Sequence, residues 1–367
     1  MTVVTDQPYF LRKLGHDPKA LAGALADVLY ARLGGERDIH PLAQALLEDG
    51  IKTRDLVANI DLATRLLLES PQLEREAIAR SASFYTTSDF STALLNAMQR
   101  LIVETVEASS AYLQVARIIE APNFREVDVP ALALRLDGED LDTPTSDAAE
   151  ARYDLDLVLR PGLKAQVSSW SRYFGVTRRL LISDALNVVG AVVVQFGTVV
   201  ARREARSVFG TLTANPKLSD GVELFHSDRG NIVAGALDLA SLAEACGKLA
   251  RLKNAAGTEC GLTPRFLIVP PERYIDALKL VAELTAGNSS PPIQVFADPA
   301  ITQNTWFVLP SPSVMPVVGF VRLAGARSTV GIDRRSSGTF DGQTFLVRHD
   351  HGAVALSHFA VRGQEGS

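Results

Sequence analysis

Chemistry in this chain would have to come from six histidines, two cysteines and the acids beside them. His226-Ser227-Asp228 has the residue types of a hydrolytic triad. Adjacent residues rarely make one, because nucleophile, base and orienting acid each need a separate support. The favoured reading is a loop in which Asp228 and Asn231 hold tight turns by side-chain-to-backbone hydrogen bonds. His349-Asp350-His351 falls in a strand pattern, so both imidazoles point to one face. A third ligand at fixed spacing does not follow, and the pair is expected to be solvated at an edge. Cys246 lies on the apolar face of a predicted helix and makes no C-x-x-C with Cys260, which favours core packing. Gly230 to Gly235 lacks both the Lys-Ser/Thr of a P-loop and the setting of a dinucleotide fold. No catalytic, cofactor or metal residue is therefore assigned, and no cofactor is expected. Hydrolysis by His226 with its Ser or Asp neighbours stays as the rival from another function class.

Composition narrows the classes further. The 367 residues are 47% hydrophobic and 22% charged, an ordinary globular balance with room for one large or two to three modest domains. A net charge of −5 offers no concentrated basic surface for electrostatically driven nucleic-acid binding. Apolar runs such as Val188 to Val194 are short against the roughly 20 residues of a membrane span. Met1 to Phe10 lacks the basic flank and apolar core of a signal peptide. Two cysteines are no disulfide framework, which suits a reducing cytoplasm as the place of synthesis.

The elements that would position any site follow from periodicity. Lys19 to Leu33 repeats apolar residues at helical spacing until Gly34-Gly35. Pro41 to Asp49 and Thr53 to Glu69 read as further helices, and a helix from Ser88 or Asp89 runs to about Glu107. Phe124 to Leu136 and Tyr153 to Leu159 alternate as strands around a polar tip, a long hairpin that needs a partner surface. Arg172 to Leu181 is strand-like. Ser183 or Asp184 then caps a helix reaching about Thr213, despite its many β-branched residues. Helices follow at Leu239 to Lys253 and Glu272 to Leu284. Strands follow at Phe266 to Val269, Ile293 to Phe296, Trp306 to Leu309, Val317 to Arg322 and within Thr344 to Val361. The expected fold class is α+β. Arg178-Arg179 and Arg202-Arg203 suit either packaged DNA or intersubunit salt bridges, the latter favoured. Arg334-Arg335 is expected in a loop with the same two readings.

The segment Asn215-Pro216-Lys217-Leu218-Ser219-Asp220-Gly221, continued by Leu224-Phe225-His226-Ser227-Asp228-Arg229-Gly230-Asn231, resembles the major head subunit of Mu-like tailed bacteriophages. Thr86 to Phe90, Pro122 to Glu126, Tyr173 to Arg178, Leu181 to Leu186, Pro264 to Pro271 and Phe340 to Arg348 support the resemblance, which covers about three quarters of the chain. It implies a Hong Kong 97-type capsid fold with an N-arm (81–123), an extended hairpin loop (124–170), a peripheral domain with a spine helix (171–215 and 340–367) and an apical domain (216–339). It implies a virion subunit that forms hexamers and pentamers of an icosahedral shell around double-stranded DNA, bound without sequence specificity. Assembly would take place in the bacterial host cytoplasm. Implied partners are other copies, a portal protein, a scaffold or separate maturation protease, and decoration proteins, with no membrane. Assembly contacts are expected at Phe124, Arg125, Glu126, Tyr153, Arg160, Arg178, Arg179, Arg202, Arg203, Asn215, Asp220, His226, Asp228 and Asn231. Residues 1–80 match no motif of the family and read either as a scaffold-like segment cut between about Ile78 and Tyr85 or as a retained extension. His349-Asp350-His351 departs from the plainer strand of relatives. An encapsulin-type compartment or a gene-transfer particle is the alternative use of the same fold.

Overall fold

Apolar residues at regular spacing, interrupted by glycine, proline or asparagine, set most element boundaries here. A computed structural model describes residues 18–48, 88–133, 158–177, 179–180, 183, 185–254, 257–285, 293–302, 304–335 and 342–365. The chain begins with α1 (Pro18–Arg32), α2 (Pro41–Glu48), α3 (Ser88–Ala108), β1 (Ala116–Ala121), β2 (Val127–Ala133), β3 (Val158–Ala165) and β4 (Ser168–Thr177). There follow α4 (Leu186–Ala214), β5 (Ile232–Ala234), α5 (Leu239–Ala250), β6 (Phe266–Val269), α6 (Tyr274–Thr285), β7 (Gln294–Ala297) and β8 (Thr305–Leu309). The last strands are β9 (Val318–Leu323), β10 (Val330–Arg335), β11 (Gly342–Ala355) and β12 (Val361–Gln364). Helices beside parallel and antiparallel strands make the fold α+β.

The chain divides into two compact units, the first taking residues up to Ser109, Ser169–Ala201 and Val330–His349. Here α1 turns Val28 and Leu29, with Leu33 just past its end, into one core with Leu94, Met98 and Ile102 of α3 and Val189 and Val193 of α4. Gly34 ends α1 in left-handed backbone, φ 94°, and the Gly35 N–H returns to Tyr30 O at 3.1 Å. A Cβ on Gly190 would lie 1.7 Å from Leu33 O, so only glycine lets α4 approach the end of α1 this closely. Arg100 of α3 bonds Asp27 at 2.7 Å and lies over the Tyr30 ring. Gln99 accepts from Ile332 N and donates to Val330 O, tying α3 to β10. β10 pairs antiparallel with residues 344–349 of β11.

The second unit takes Ser110–Ser168, Arg202–Thr329 and the chain from Asp350. It holds a five-stranded sheet in the order β5-β12-β8-β6-β7. Leu267 and Val269 of β6 pack with Leu242 and Leu249 of α5 and Ala277 of α6. The alternate residues Phe266 and Ile268 pack with Val208, Phe209 and Leu212 of α4. Cover on both faces explains why β6 is wholly apolar instead of alternating. β1 runs parallel to β9, which pairs with residues 352–355 of β11. β2 and β3 form a hairpin whose register shifts between Val129 and Ala131, at Pro130, which has no N–H for the ladder. The hairpin root packs Val127 and Val129 with Ala121, Ala165 and Val321.

Several expectations shift. Of the expected second hairpin strand at 153–159, residues 153–157 lie outside the described residues, and β3 carries the strand from Val158 on to Ala165. β4 stops at Thr177, where the Thr177 hydroxyl accepts the Leu180 N–H and a helical turn begins. Arg334 and Arg335 are not in a loop: they pair with Phe345 and Thr344 at the end of β10. The expected helix at 53–69, Ser70-Pro71, and the capping candidate Asp184 lie outside the described residues. Among described helices, α4 is long and apolar enough to cross a membrane by length and composition. It serves instead as core in both units, through Val189 and Val193 in one and Val208 and Phe209 in the other.

Candidate functional site

Residues 215–231, all in the second unit, are braced by a dense set of side-chain hydrogen bonds. α4 ends where Asn215 takes left-handed backbone, φ 48°, the one described non-glycine to do so. Asparagine tolerates that conformation, and Pro216 cannot continue the helix. The Asn215 side chain then grips the Phe225 backbone, accepting from its N–H at 2.7 Å and donating to its carbonyl at 3.2 Å. Between these ends a small hairpin turns at Leu218 to Gly221, whose φ of 79° needs glycine. Asp220 accepts the Val222 N–H and both contacts of the Arg229 guanidinium at 2.8 Å. Arg229 also donates to Glu223 O and Val222 O, and its side chain is only 9% exposed. Burial pushes the Asp220 carboxyl up, but the Val222 N–H and the Arg229 charge outweigh it and hold the group below its ordinary value.

Asn231 closes the segment. It is fully buried, accepts His226 N–H at 3.0 Å, and donates to Leu224 O at 2.8 Å and His358 O at 3.1 Å. Asp228 does not hold the turn as expected. The His226 ring does, its Nδ1 accepting the Asp228 N–H at 3.2 Å. Ser227 Oγ donates to Asp228 Oδ1 at 3.3 Å and not to the imidazole, so the three residues do not form a nucleophile–base pair. An open groove of about 1280 Å³ runs beside the loop, floored by Leu252, Leu262, Met315 and Phe359 and edged by Lys248, Arg251 and Lys253. His358 lines it, and burial holds this imidazole below its usual pKa. Cys246 and Cys260 are free thiols, and burial pushes Cys246 up to about 11 and raises Cys260.

The paired histidines are not solvated. His349 is 4% exposed with its ring against Trp170, and His351 is fully buried with Nε2 2.8 Å from Ser207 Oγ. The strand is covered where an edge was expected, because β11 pairs along both of its halves. Glu204, not singled out from the sequence, is 1% exposed and accepts hydroxyls from Tyr112 and Thr329. Burial, then the Glu204 charge, raise the Tyr112 phenol. The signal was present: Ala201, Glu204 and Val208 share one face of α4, and the neighbours on that face are core.

The remaining sequence candidates are spread along the chain. Phe124 and Arg125 are exposed just before β2, and Glu126 pairs with Lys164 across the hairpin root at 2.9 Å. Arg160 lies on β3 opposite Ala131. Arg179 is exposed in the turn before α4, and Arg202 and Arg203 are exposed on α4. Tyr153 and Arg178 lie outside the described residues.

The family match, and not the local geometry, assigns the chain its role. The phage capsid protein family matches residues 162–362, more than half of the chain, and the chain belongs to that family. Its role is that of a structural capsid protein of the virion. Similar solved structures include a virus-like particle from Pyrococcus furiosus, 13% identical, with 74% of this chain and 99% of that chain covered and a TM-score of 0.48. The capsid of cyanophage P-SCSP1u is 10% identical over 70% and 88% of the two chains, with a TM-score of 0.44. The procapsid of bacteriophage JBD30 is 15% identical over 75% and 76%, with a TM-score of 0.42. No curated protein matches the chain.

Proposed function

We propose that the chain is the major head subunit of a Mu-like tailed phage or prophage, with a Hong Kong 97-type fold. Its copies form hexamers and pentamers of an icosahedral head around double-stranded DNA. The family match over residues 162–362 carries this reading. The 215–231 segment supports the Mu-like assignment, since its asparagines, aspartate and glycines each have a structural task there. Portal, scaffold or protease, and decoration proteins would be its partners, and assembly would take place in the host cytoplasm. In this reading 171–215 with 340–367 is the peripheral domain and 216–339 the apical one, except that β12 joins β5 and β8 in the apical sheet.

Residues 18–48 stay with the mature subunit in this reading. Leu29, Leu33 and Leu46 are part of the first unit's core, and removal of the segment would expose that core to water. Electron microscopy of the purified chain, with mass spectrometry of the same particles, tests the proposal. Closed shells or capsomer rings of full-mass subunits are the expected result. A stable monomer at high concentration would overturn the shell, and a mass lacking residues 18–48 would overturn retention. Shells filled with protein and free of nucleic acid would point instead to an encapsulin-type compartment.

A further inference from the structure

Every residue lining the groove beside the 215–231 loop belongs to the second unit. Its floor is rigid, because Leu252, Leu262 and Phe359 are anchored in the core of α5, α6 and the five-stranded sheet, and Met315 packs against that core half-buried. Beside it Val314 is 68% exposed, more than any other large apolar residue among those described. Apolar side chains laid on this floor leave water, which favours their docking. Positive charge is available at one place only on the lining. Arg251 and Lys253 follow the end of α5, both are exposed, and neither has an ion-pair partner among the described residues. Lys248 is already held by Glu244 at 2.9 Å and by Ile232 O at 2.6 Å. On the loop, Arg229 is taken by Asp220, while Asp228 is exposed.

We propose that the groove docks an extended, acidic peptide segment of a separate protein, with apolar side chains on the floor and carboxylates against Arg251 and Lys253. This goes beyond the shell reading and does not depend on it, since the groove lies within one unit of one chain. Charge complementarity sets the acidic part: a guanidinium fork matches a carboxylate in bidentate geometry. One exposed ion pair contributes little, but a pair beside docked apolar groups loses water and gains strength. Size sets the class of occupant. At about 1280 Å³ the groove exceeds the roughly 300–1,000 Å³ of pockets that hold small molecules. The flexible thioether of Met315 adapts to apolar groups of varied shape. Nucleic acid fits less well, because single strands stack on open aromatic faces. The aromatic rings on the lining are His358 and Phe359, which stack on each other, and Phe359 is 8% exposed. Gly247 of α5 also lines the groove, and a Cβ there would meet nothing within 4 Å. The groove can therefore be filled from that position without disturbing the fold.

The test measures fluorescence anisotropy of a labelled synthetic peptide, leucines followed by a run of glutamates, titrated with the full chain. Saturable binding is expected, about tenfold tighter than for the same peptide with lysines replacing the glutamates or serines replacing the leucines. It should weaken as salt shortens the screening length from about 10 Å at 0.1 M to about 3 Å at 1 M. Arg251→Glu with Lys253→Glu should reverse the preference, so that the lysine peptide binds better than the glutamate one. Gly247→Leu should weaken the acidic peptide about tenfold and leave the urea midpoint unchanged or raised, since leucine favours helix over glycine. Absence of binding by the acidic peptide would overturn the proposal. So would equal binding of the acidic and basic peptides, or binding that survives both the charge reversal and Gly247→Leu. A single-stranded oligonucleotide that binds more tightly than the acidic peptide would assign the groove to nucleic acid instead. Loss of shells or rings in Gly247→Leu with no peptide present would assign it to a second copy. The mass of the parent assemblies reports the shell reading separately: a lasting monomer that binds the acidic peptide sinks the shell and keeps this inference.

Discussion

The loop at 215–231 and the helices at 18–48 are both tied into their units, but they are held by opposite means. The loop is held by directional polar bonds: Asn215 on Phe225, Asp220 on Arg229, Asn231 on three backbone groups. The helices are held by non-directional burial of Leu29, Leu33 and Leu46, with ion pairs only around the margin. A directional bond accepts few residues at its position. Burial accepts any apolar group of suitable volume. One segment therefore shows a recognisable motif and the other shows none, without a difference in structural importance.

Substitutions can break or sharpen that contrast. The largest loss is expected for Leu29→Ala, about 2–5 kcal/mol by urea denaturation, while Leu29→Met should cost below about 1.5. If the two cost the same, burial is not what holds α1. Asn231→Ala should cost about 3 kcal/mol, because it strands buried partners, and Asn231→Asp, which cannot donate, should do little better. A near-neutral Asn231→Asp would show that the loop tolerates substitution as the helices do. Asn215→Ala loses two bonds and keeps the left-handed strain, so about 1–2 kcal/mol is expected, with Asn215→Gly milder.

Acidity probes the same loop more gently. The folded Asp220 pKa lies below its unfolded value of about 3.9. Its stabilisation is complete above that value and is lost as pH falls through the lower folded pKa. The stability gap between the native chain and Asp220→Asn should therefore narrow as pH falls below about 3.9; a gap that stays constant on acidification would contradict the assignment. The smallest effect belongs to Arg37→Ala, whose exposed pair with Glu107 should contribute under about 1 kcal/mol, with high salt removing even that.

What the sequence displays follows from the same physics. β6 was legible to the residue, because four apolar positions bounded by prolines leave few alternatives. The end of α4 was legible from Asn215-Pro216, and the end of α1 from Gly34-Gly35. β1 was not: Ala116 to Ala121 shows no alternation and owes its form to pairing with β9, some two hundred residues away. Burial of His349 and His351 was hidden for a related reason, since it is distant chain that covers β11. Glu204 sits in a charged run that looks solvated, and only its place on the helix reveals that it turns inward.

Burial at Cys246 and Cys260 has a consequence for the particle as an object. Only the thiolate reacts with oxidants or exchanges with disulfides, and both groups are biased toward the neutral thiol. Both thiols therefore react slowly with oxidants near neutral pH, and the thiol state of the subunit is less sensitive to a change of redox environment than that of exposed, acidic cysteines.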